Sequence, residues 1–527
     1  MRTRIVADLL RHRASTAPDD PFVKCGGDWL SNMELHTRSG RVASGLRRLG
    51  LGKGDRVAFL LPNREEMLEL FFACALTGVI QVPLNVHLKG EFLRYQLADS
   101  GARVAVVDSA GLHALRGVAD GTGVDTVVVV DACPAGTATV PYGSLRTAPD
   151  DGARPDLDPR DLLSILYTSG TTGPSKGCML SNGYYTASPP VFHEHGWIAD
   201  EDRVFTSLQL FHGGAHAVLM QALTVPGGSV CFEPAFSAST FMARAREESA
   251  TLLWTLPPMA MALLSRPDTG AGPGGGFRLA IVPGLGLAAR EEFERRFDAR
   301  VGTQIYGQTE CLGVAFSSLH GPDRPGTLGR PAPHLEVRLV DDADEPVAVG
   351  EVGEIVVRPR IAHAMYSGYW RRPEATVKAW SNLWHHTGDL ARADEDGYLT
   401  FVDRKKDSLR RRGENVSSFE LETAIAGHPK VARAAVCAVP SPLGEDDIKA
   451  CIVASPGPPP TAEELFEFFR DHLPYFAVPR FVELRESLPV TAATDRVQKH
   501  VLRAEGVTAG TWDLDGMGLT VPRTARR

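Results

Sequence analysis

Short apolar runs alternate with helix-period segments through the first 130 residues, and this alternation constrains the fold more than any other feature. Residues 56–62 form an apolar run closed by Pro62 and Asn63, and 79–83 and 102–108 are similar runs, so all three are read as strands. Between them, 33–49, 65–75 and 91–100 carry apolar residues at helical spacing, the first ending at Gly50. Strands that alternate with helices predict a parallel sheet covered by helices. The pattern resumes from 162 to about 305. Residues 133–160, rich in Pro, Gly, Ala and Asp without a sustained period, read as a surface connection.

From about 327 the pattern changes to short strands with turn signals, at 335–340, 354–358 and 398–402, and predicts a β-rich subdomain over about 327–404. A basic run at 404–412 then leads into an α+β pattern up to about 505, followed by a weakly packed tail. The expected fold class is α/β: a large N-terminal domain over 1–404 with parallel-rich sheets, and a small α+β C-terminal domain over 405–527. A chain of 527 residues fits this division, since domains average ~100–200 residues.

Composition narrows the function classes. A net charge of −8 gives no global field toward nucleic acid. The eight cysteines are scattered and form no Cys-x-x-Cys pair, which fits a reducing compartment and offers no zinc spacing. The most apolar stretch, 68–86, is broken by Thr77, Gly78, Gln81 and Pro83 and falls short of the ~20 residues of a membrane span. The expectation is a soluble cytoplasmic protein with neither nucleic-acid nor membrane partners.

The strongest local signal is YTSGTTGPSKG at 167–177, entered from an apolar strand. Glycines let backbone N–H groups approach an anion, hydroxyls donate further bonds, and Lys176 adds positive charge. This is a cradle for a polyphosphate. It is not a Walker A loop, because counting from Gly170 the second glycine of that motif falls on Ser175. A second signal, Gly284, Leu285 and Gly286 with Ala289, fits G-x-G-x-x-A between a strand-like run at 277–282 and a helix expected at 288–297. No acidic residue follows ~20 positions on; Tyr306 stands there instead. A nucleotide-binding loop fits better than a nicotinamide site.

Four further motifs follow in order: YGQTE at 306–310, WHHTGD at 384–389, DRKKD at 403–407 and GENVSSFE at 413–420. With them the chain resembles the AMP-forming, adenylate-forming superfamily of acyl- and aryl-CoA synthetases, luciferases and peptide-synthetase adenylation domains. The resemblance runs from about residue 10 to 505, and its wording is nearest to crotonobetaine/carnitine-CoA ligases. It implies ATP, Mg²⁺ and CoA as cofactors, a monomer or homodimer, and a mobile C-terminal domain with a hinge at Lys405 and Lys406. Carried over residue by residue, Thr168, Ser169, Gly170, Thr171, Thr172 and Lys176 would wrap the β- and γ-phosphates. Gly284, Leu285 and Gly286 would line the adenine slot. Tyr306 would stack on the base, Gly307 beside it would also bind the nucleotide, Thr309 would meet the α-phosphate, and Glu310 the Mg²⁺. Asp389 and Arg404 would hold the ribose.

One departure stands out. The family's C-terminal Gly-Lys pair aligns with Asp495 and Arg496. Either Arg496 substitutes for the lysine, or Lys499 reaches in, or this step departs from the usual chemistry. The acid pocket would be lined by Phe211, His212, Gln308 and Gly313, with small residues beside His212. His216 either donates to a polar substituent of the substrate or packs within a helix. These features favour a small polar or aromatic carboxylic acid, adenylated and passed to a thiol such as CoA. Other readings are an ATP-dependent diazotase-like enzyme that activates nitrite for an aryl amine, a non-catalytic nucleotide-binding protein, and a nicotinamide oxidoreductase.

Overall fold

The structure is a computed structural model describing residues 5–521, apart from 133–138, 154, 169–173, 268–275, 405–408, 413, 417, 442–444 and 490–496. The side chains of residues 403, 404, 410, 415, 419 and 500 are likewise outside the description. The expected hinge pair Lys405 and Lys406, Arg496, and Ser169, Gly170, Thr171 and Thr172 all lie outside the described residues.

Two seven-stranded sheets build the larger body. The first runs Val140–Pro141, Thr126–Val129, Val104–Val107, Arg56–Leu60, Ile80–Pro83, Leu162–Thr168 and Lys176–Ser181. Every neighbouring pair is parallel except the last, a hairpin in which Thr168 faces Lys176. The second runs Val301–Gly302, Leu279–Ile281, Leu252–Trp254, Arg203–Thr206, Ser229–Phe232, Pro21–Cys25 and Leu30–Ser31, again parallel but for its final pair. The alternation of short apolar runs and helices therefore becomes parallel sheet, as expected.

The helix Glu65–Thr77 lies at the heart of this body, and every residue from Glu66 to Thr77 is buried. A helix that is apolar all round, here through Leu68, Phe71, Phe72, Ala73 and Leu76, has no solvent face and must be covered on every side. It ends at Gly78, whose φ of 72° lets the chain turn. Of its two buried carboxylates, Glu66 and Glu69, Glu69 has a fully buried side chain. Tyr142 Oη donates to its carboxylate at 2.9 Å and Arg146 Nε at 2.8 Å. Burial still raises the pKa of Glu69 against the lowering pull of Arg146.

That pairing corrects the expectation of a surface connection over 133–160. Val140–Pro141 extends the first sheet, and the helix Tyr142–Arg146 that follows buries Tyr142 and Leu145. A five-residue helix has too little sequence to show a period, so its role lies in its partners.

The β-rich part is a four-stranded antiparallel sheet of Leu335–Val340, Val352–Pro359, His385–Ala393 and Leu399–Arg404. The smaller body has its own sheet, Val431–Pro440, Asp446–Ala454, Phe481–Leu484 and Thr511–Asp513, and its own core around Val436, Ile448, Leu465 and Phe469. The described part of the expected tail belongs to this body: Thr511–Asp513 pairs with Phe481–Leu484, and Leu514 is buried. Arg480 anchors it through bonds of 3.0 and 2.9 Å to Asp513.

Candidate active site

The site grows from strand ends. The hairpin Leu162–Thr168 and Lys176–Ser181 presents Thr168 and Lys176 at the end where the chain turns back. The Ser175 carbonyl accepts from Tyr95 Oη at 3.0 Å, and Arg372 Nη2 donates to Tyr95 Oη at 2.9 Å. The Lys176 ammonium lies 4.4 Å from the centroid of the Tyr369 ring.

Across the cleft, the strands Ile305–Gln308 and Cys311–Phe316 turn through Thr309 and Glu310. The Thr309 carbonyl accepts from buried Tyr184 Oη at 2.8 Å, which holds this turn against the body. Glu310 Oε1 accepts from Tyr369 Oη at 2.8 Å. A Cβ on Gly307 would come within 2.8 Å of the Gly313 backbone nitrogen, so Gly307 is required by the turn itself. Gly313 has φ +62°, and a Cβ there would meet the Phe192 ring at 2.7 Å. Packing against Phe192, rather than room for a substrate, accounts for that glycine.

Asp389 sits on the strand His385–Ala393, directly opposite Arg404 in the register, and is 3 % exposed. Its Oδ2 accepts from Tyr306 Oη at 2.6 Å and from Gln308 Nε2 at 2.8 Å. Gln308 Nε2 also lies 2.9 Å from the Thr387 carbonyl. Gln308, expected in the acid pocket, therefore belongs to the Asp389 side. Gly284 has φ +75°, and open space surrounds the Cβ positions of both Gly284 and Gly286, whereas Leu285 is buried. The helix Leu287–Phe297 begins one residue later, so the two glycines leave an open shelf at its start.

A cavity between the two bodies is lined by Thr168, Ser175, Phe211, His212 and Thr309 from the larger one and by Glu414 and Glu420 from the smaller. His212 Nε2 pairs with the Glu414 carboxylate at 2.9 Å. Glu420 accepts from the Ser175 backbone N–H, and from Ser175 Oγ at 2.7 Å. Burial raises the pKa of Glu420, opposed by the Ser175 bonds. Glu414 and Glu420 belong to a motif visible in the chain, yet neither received a role from sequence; nor did Tyr369 or Tyr95.

Two expected residues lie elsewhere. His216 is 1 % exposed, on the buried helix Gly213–Thr224. Its Nε2 lies 2.8 Å from the Leu210 carbonyl, which can only accept, so Nδ1 is left to accept from Tyr185 Oη at 2.9 Å. Burial lowers its pKa to about 4. It is a core residue, not a second imidazole in the pocket. Lys499 stays within the smaller body, 2.7 Å from Ser418 Oγ and 2.7 Å from Glu422.

The chemistry of this arrangement is anion handling. The Lys176 ammonium and the Glu310 carboxylate meet the same tyrosine, Tyr369. Among the described residues, no group of three His, Cys, Asp or Glu side chains could cage a metal. A single carboxylate, Glu310, suits Mg²⁺, which keeps water and phosphate oxygens as most of its ligands.

Residues 10–370 match the family model for AMP-binding enzyme. The chain belongs to the AMP-binding enzyme family. Residues 420–494 match the AMP-binding enzyme C-terminal domain. The chain is 33 % identical over 510 residues to a feruloyl-CoA synthase of Amycolatopsis sp., covering 96 % of this chain and 100 % of that one. It is 30 % identical over 505 residues to a crotonobetaine/carnitine–CoA ligase of Salmonella paratyphi A, covering 91 % and 95 %. Among solved structures, o-succinylbenzoate CoA synthetase of Bacillus subtilis superposes with a TM-score of 0.81 at 26 % identity, covering 94 % and 97 %. This member of the AMP-binding family is an ATP-dependent, AMP-forming ligase of the acyl- and aryl-CoA synthetase type. None of these relatives favours a diazotase, an inert nucleotide binder or a nicotinamide enzyme. Among the described residues, no helix is long and apolar enough to cross a membrane.

Proposed function

We propose that this enzyme adenylates a small polar or aromatic carboxylic acid and transfers the acyl group to CoA. In the first step a carboxylate oxygen attacks the α-phosphorus of ATP. An acyl–O–P bond forms, the bond to the β-phosphate oxygen breaks, and pyrophosphate leaves. In the second step the sulfur of CoA attacks the acyl carbon. The C–S bond forms, the C–O bond to AMP breaks, and the thiol proton goes to water.

The contacts of Tyr369 with both Lys176 and Glu310, and of Tyr306 and Gln308 with Asp389, support this reading. The first step brings anion against anion, so the protein's task is positioning and fixed positive charge. Lys176 and the loop at 168–176 receive the β- and γ-phosphates. Thr309 meets the α-phosphate. Tyr306 and the open shelf at Gly284 and Gly286 take the adenine, and Asp389 with Arg404 takes the ribose. Mg²⁺, held by Glu310, would neutralise charge on the phosphates. Phe211 and His212 flank the acid. The proposed domain division is 1–404 and 405–527, with the hinge at Lys405 and Lys406. Feruloyl and o-succinylbenzoyl, named in two relatives, are aromatic acyl groups and favour the aromatic side of this reading.

The test is a screen of aromatic and small polar acids with ATP and Mg²⁺, with and without CoA, scored for AMP and by product mass. An acid-dependent thioester is the expected product. AMP release that requires nitrite and an aryl amine, with no thioester, would overturn the reading.

A further inference from the structure

Tyr369 touches both charged groups of the nucleotide site just proposed. Its ring lies beneath the Lys176 ammonium, 4.4 Å from Nζ to centroid, and its hydroxyl donates to Glu310 Oε1 at 2.8 Å.

The backbone fixes this side chain from three directions. Tyr369 N–H donates to Thr376 Oγ1 at 2.9 Å. On either side, the Gly368 carbonyl accepts from Met179 N–H at 3.0 Å and Trp370 N–H donates to the Gly177 carbonyl at 2.8 Å. Tyr366 N–H donates to the Glu310 carbonyl at 2.9 Å. Residues 366–370 thus run beside the strand that starts at Lys176 and are pinned to the turn that carries Glu310.

The physical consequence concerns the enzyme before ATP arrives. A lysine and a glutamate in one partly dry cleft attract each other, and a direct ion pair between them would have to break before phosphate and metal could replace it. Tyr369 offers each a different partner. The electron-rich face of the ring holds the ammonium weakly, and the hydroxyl takes one carboxylate oxygen.

We propose that Tyr369 is a positioning residue for adenylation, holding Lys176 and Glu310 apart so that the ammonium stays open to the β- and γ-phosphates and Glu310 to Mg²⁺. The proposal rests on the function proposed above. Its test uses Tyr369→Phe, which keeps the ring and removes the donor, and Tyr369→Leu, which removes both. Calorimetry would measure binding of AMP, of ATP without metal and of ATP with Mg²⁺; pyrophosphate exchange would be followed against Mg²⁺ concentration. For Tyr369→Phe, the half-saturating Mg²⁺ should rise ~10-fold, the scale of one lost bond to a charged group. Its binding of AMP and of metal-free ATP should match wild type. Tyr369→Leu should also weaken metal-free ATP several-fold while leaving AMP unchanged. Equal weakening of AMP and ATP, or no change in either variant, would overturn the positioning role. A wild-type enzyme that fails to bind ATP would instead overturn the function on which it rests.

Discussion

Asp389 draws its setting from two neighbours, since Tyr306 and Gln308 donate to the same oxygen. Glu310 is aimed in a similar way by Tyr369. Asp389→Ala and Glu310→Ala should each abolish AMP formation, measured as pyrophosphate release; unchanged turnover in either would show the roles to be misplaced. The C-terminal cation is a second residue-scale question. Lys499 is engaged by Glu422 and Ser418, and Arg496 lies outside the described residues, so mutation decides between them. Arg496→Ala should slow pyrophosphate exchange by ~10²–10³, the usual cost of losing one fixed donor to a developing oxyanion. If Lys499→Ala alone does so, the alignment of this stretch is shifted. Three histidines carry a prediction about acid. Burial lowers the pKa of His216, His334 and His385 from 6.5 to about 4. Folded values below unfolded ones mean that the neutral forms add stability above pH 6.5 and lose it as pH falls toward 4, by about 3 kcal/mol for each. The melting midpoint should drop across that window, and His216→Phe should flatten part of the drop.

At the scale of elements, legibility followed periodicity. The helix Glu65–Thr77 and the strands Arg56–Leu60, Ile80–Pro83 and Val104–Val107 agree with the apolar pattern to within a few residues. The strand His385–Ala393, which carries Asp389, was not read as a strand. Its sequence opens with two histidines, Thr387 and Gly388, and its pairing shifts register beside Leu390 and Ala391. Functional polar residues displaced the alternation that marks an ordinary strand. The short helix Tyr142–Arg146 was missed for want of length; its purpose is to supply Tyr142 and Arg146 to Glu69. The central helix invites a stability test. Phe72 is fully buried, so Phe72→Ala should cost about 3–5 kcal/mol and lower the midpoint of denaturant unfolding accordingly.

For the whole molecule, the two bodies meet through polar pairs, Glu414 on His212 and Glu420 on Ser175, and through aromatic contacts of His87 with Tyr475 and Phe476. The Glu420 carboxylate takes donors next to Lys176, where a phosphate would also be drawn. Glu420→Gln removes the competing anion and should tighten ATP binding several-fold by calorimetry; an unchanged affinity would mean that the two do not compete. Local structure set by neighbouring residues is legible along the chain. The strands Leu162–Thr168 and Lys176–Ser181, the YGQTE turn and the apolar helices each bring their determinants within a few positions, and local sterics or periodicity suffice. Tertiary structure alone decided that His216 is core, that Gln308 serves Asp389, and that Tyr369 joins Lys176 to Glu310. Apart from the Leu210 carbonyl on His216, these assignments rest on partners tens to hundreds of residues away in the chain. Burial and hydrogen bonding depend on which surfaces close together, and no local pattern records that.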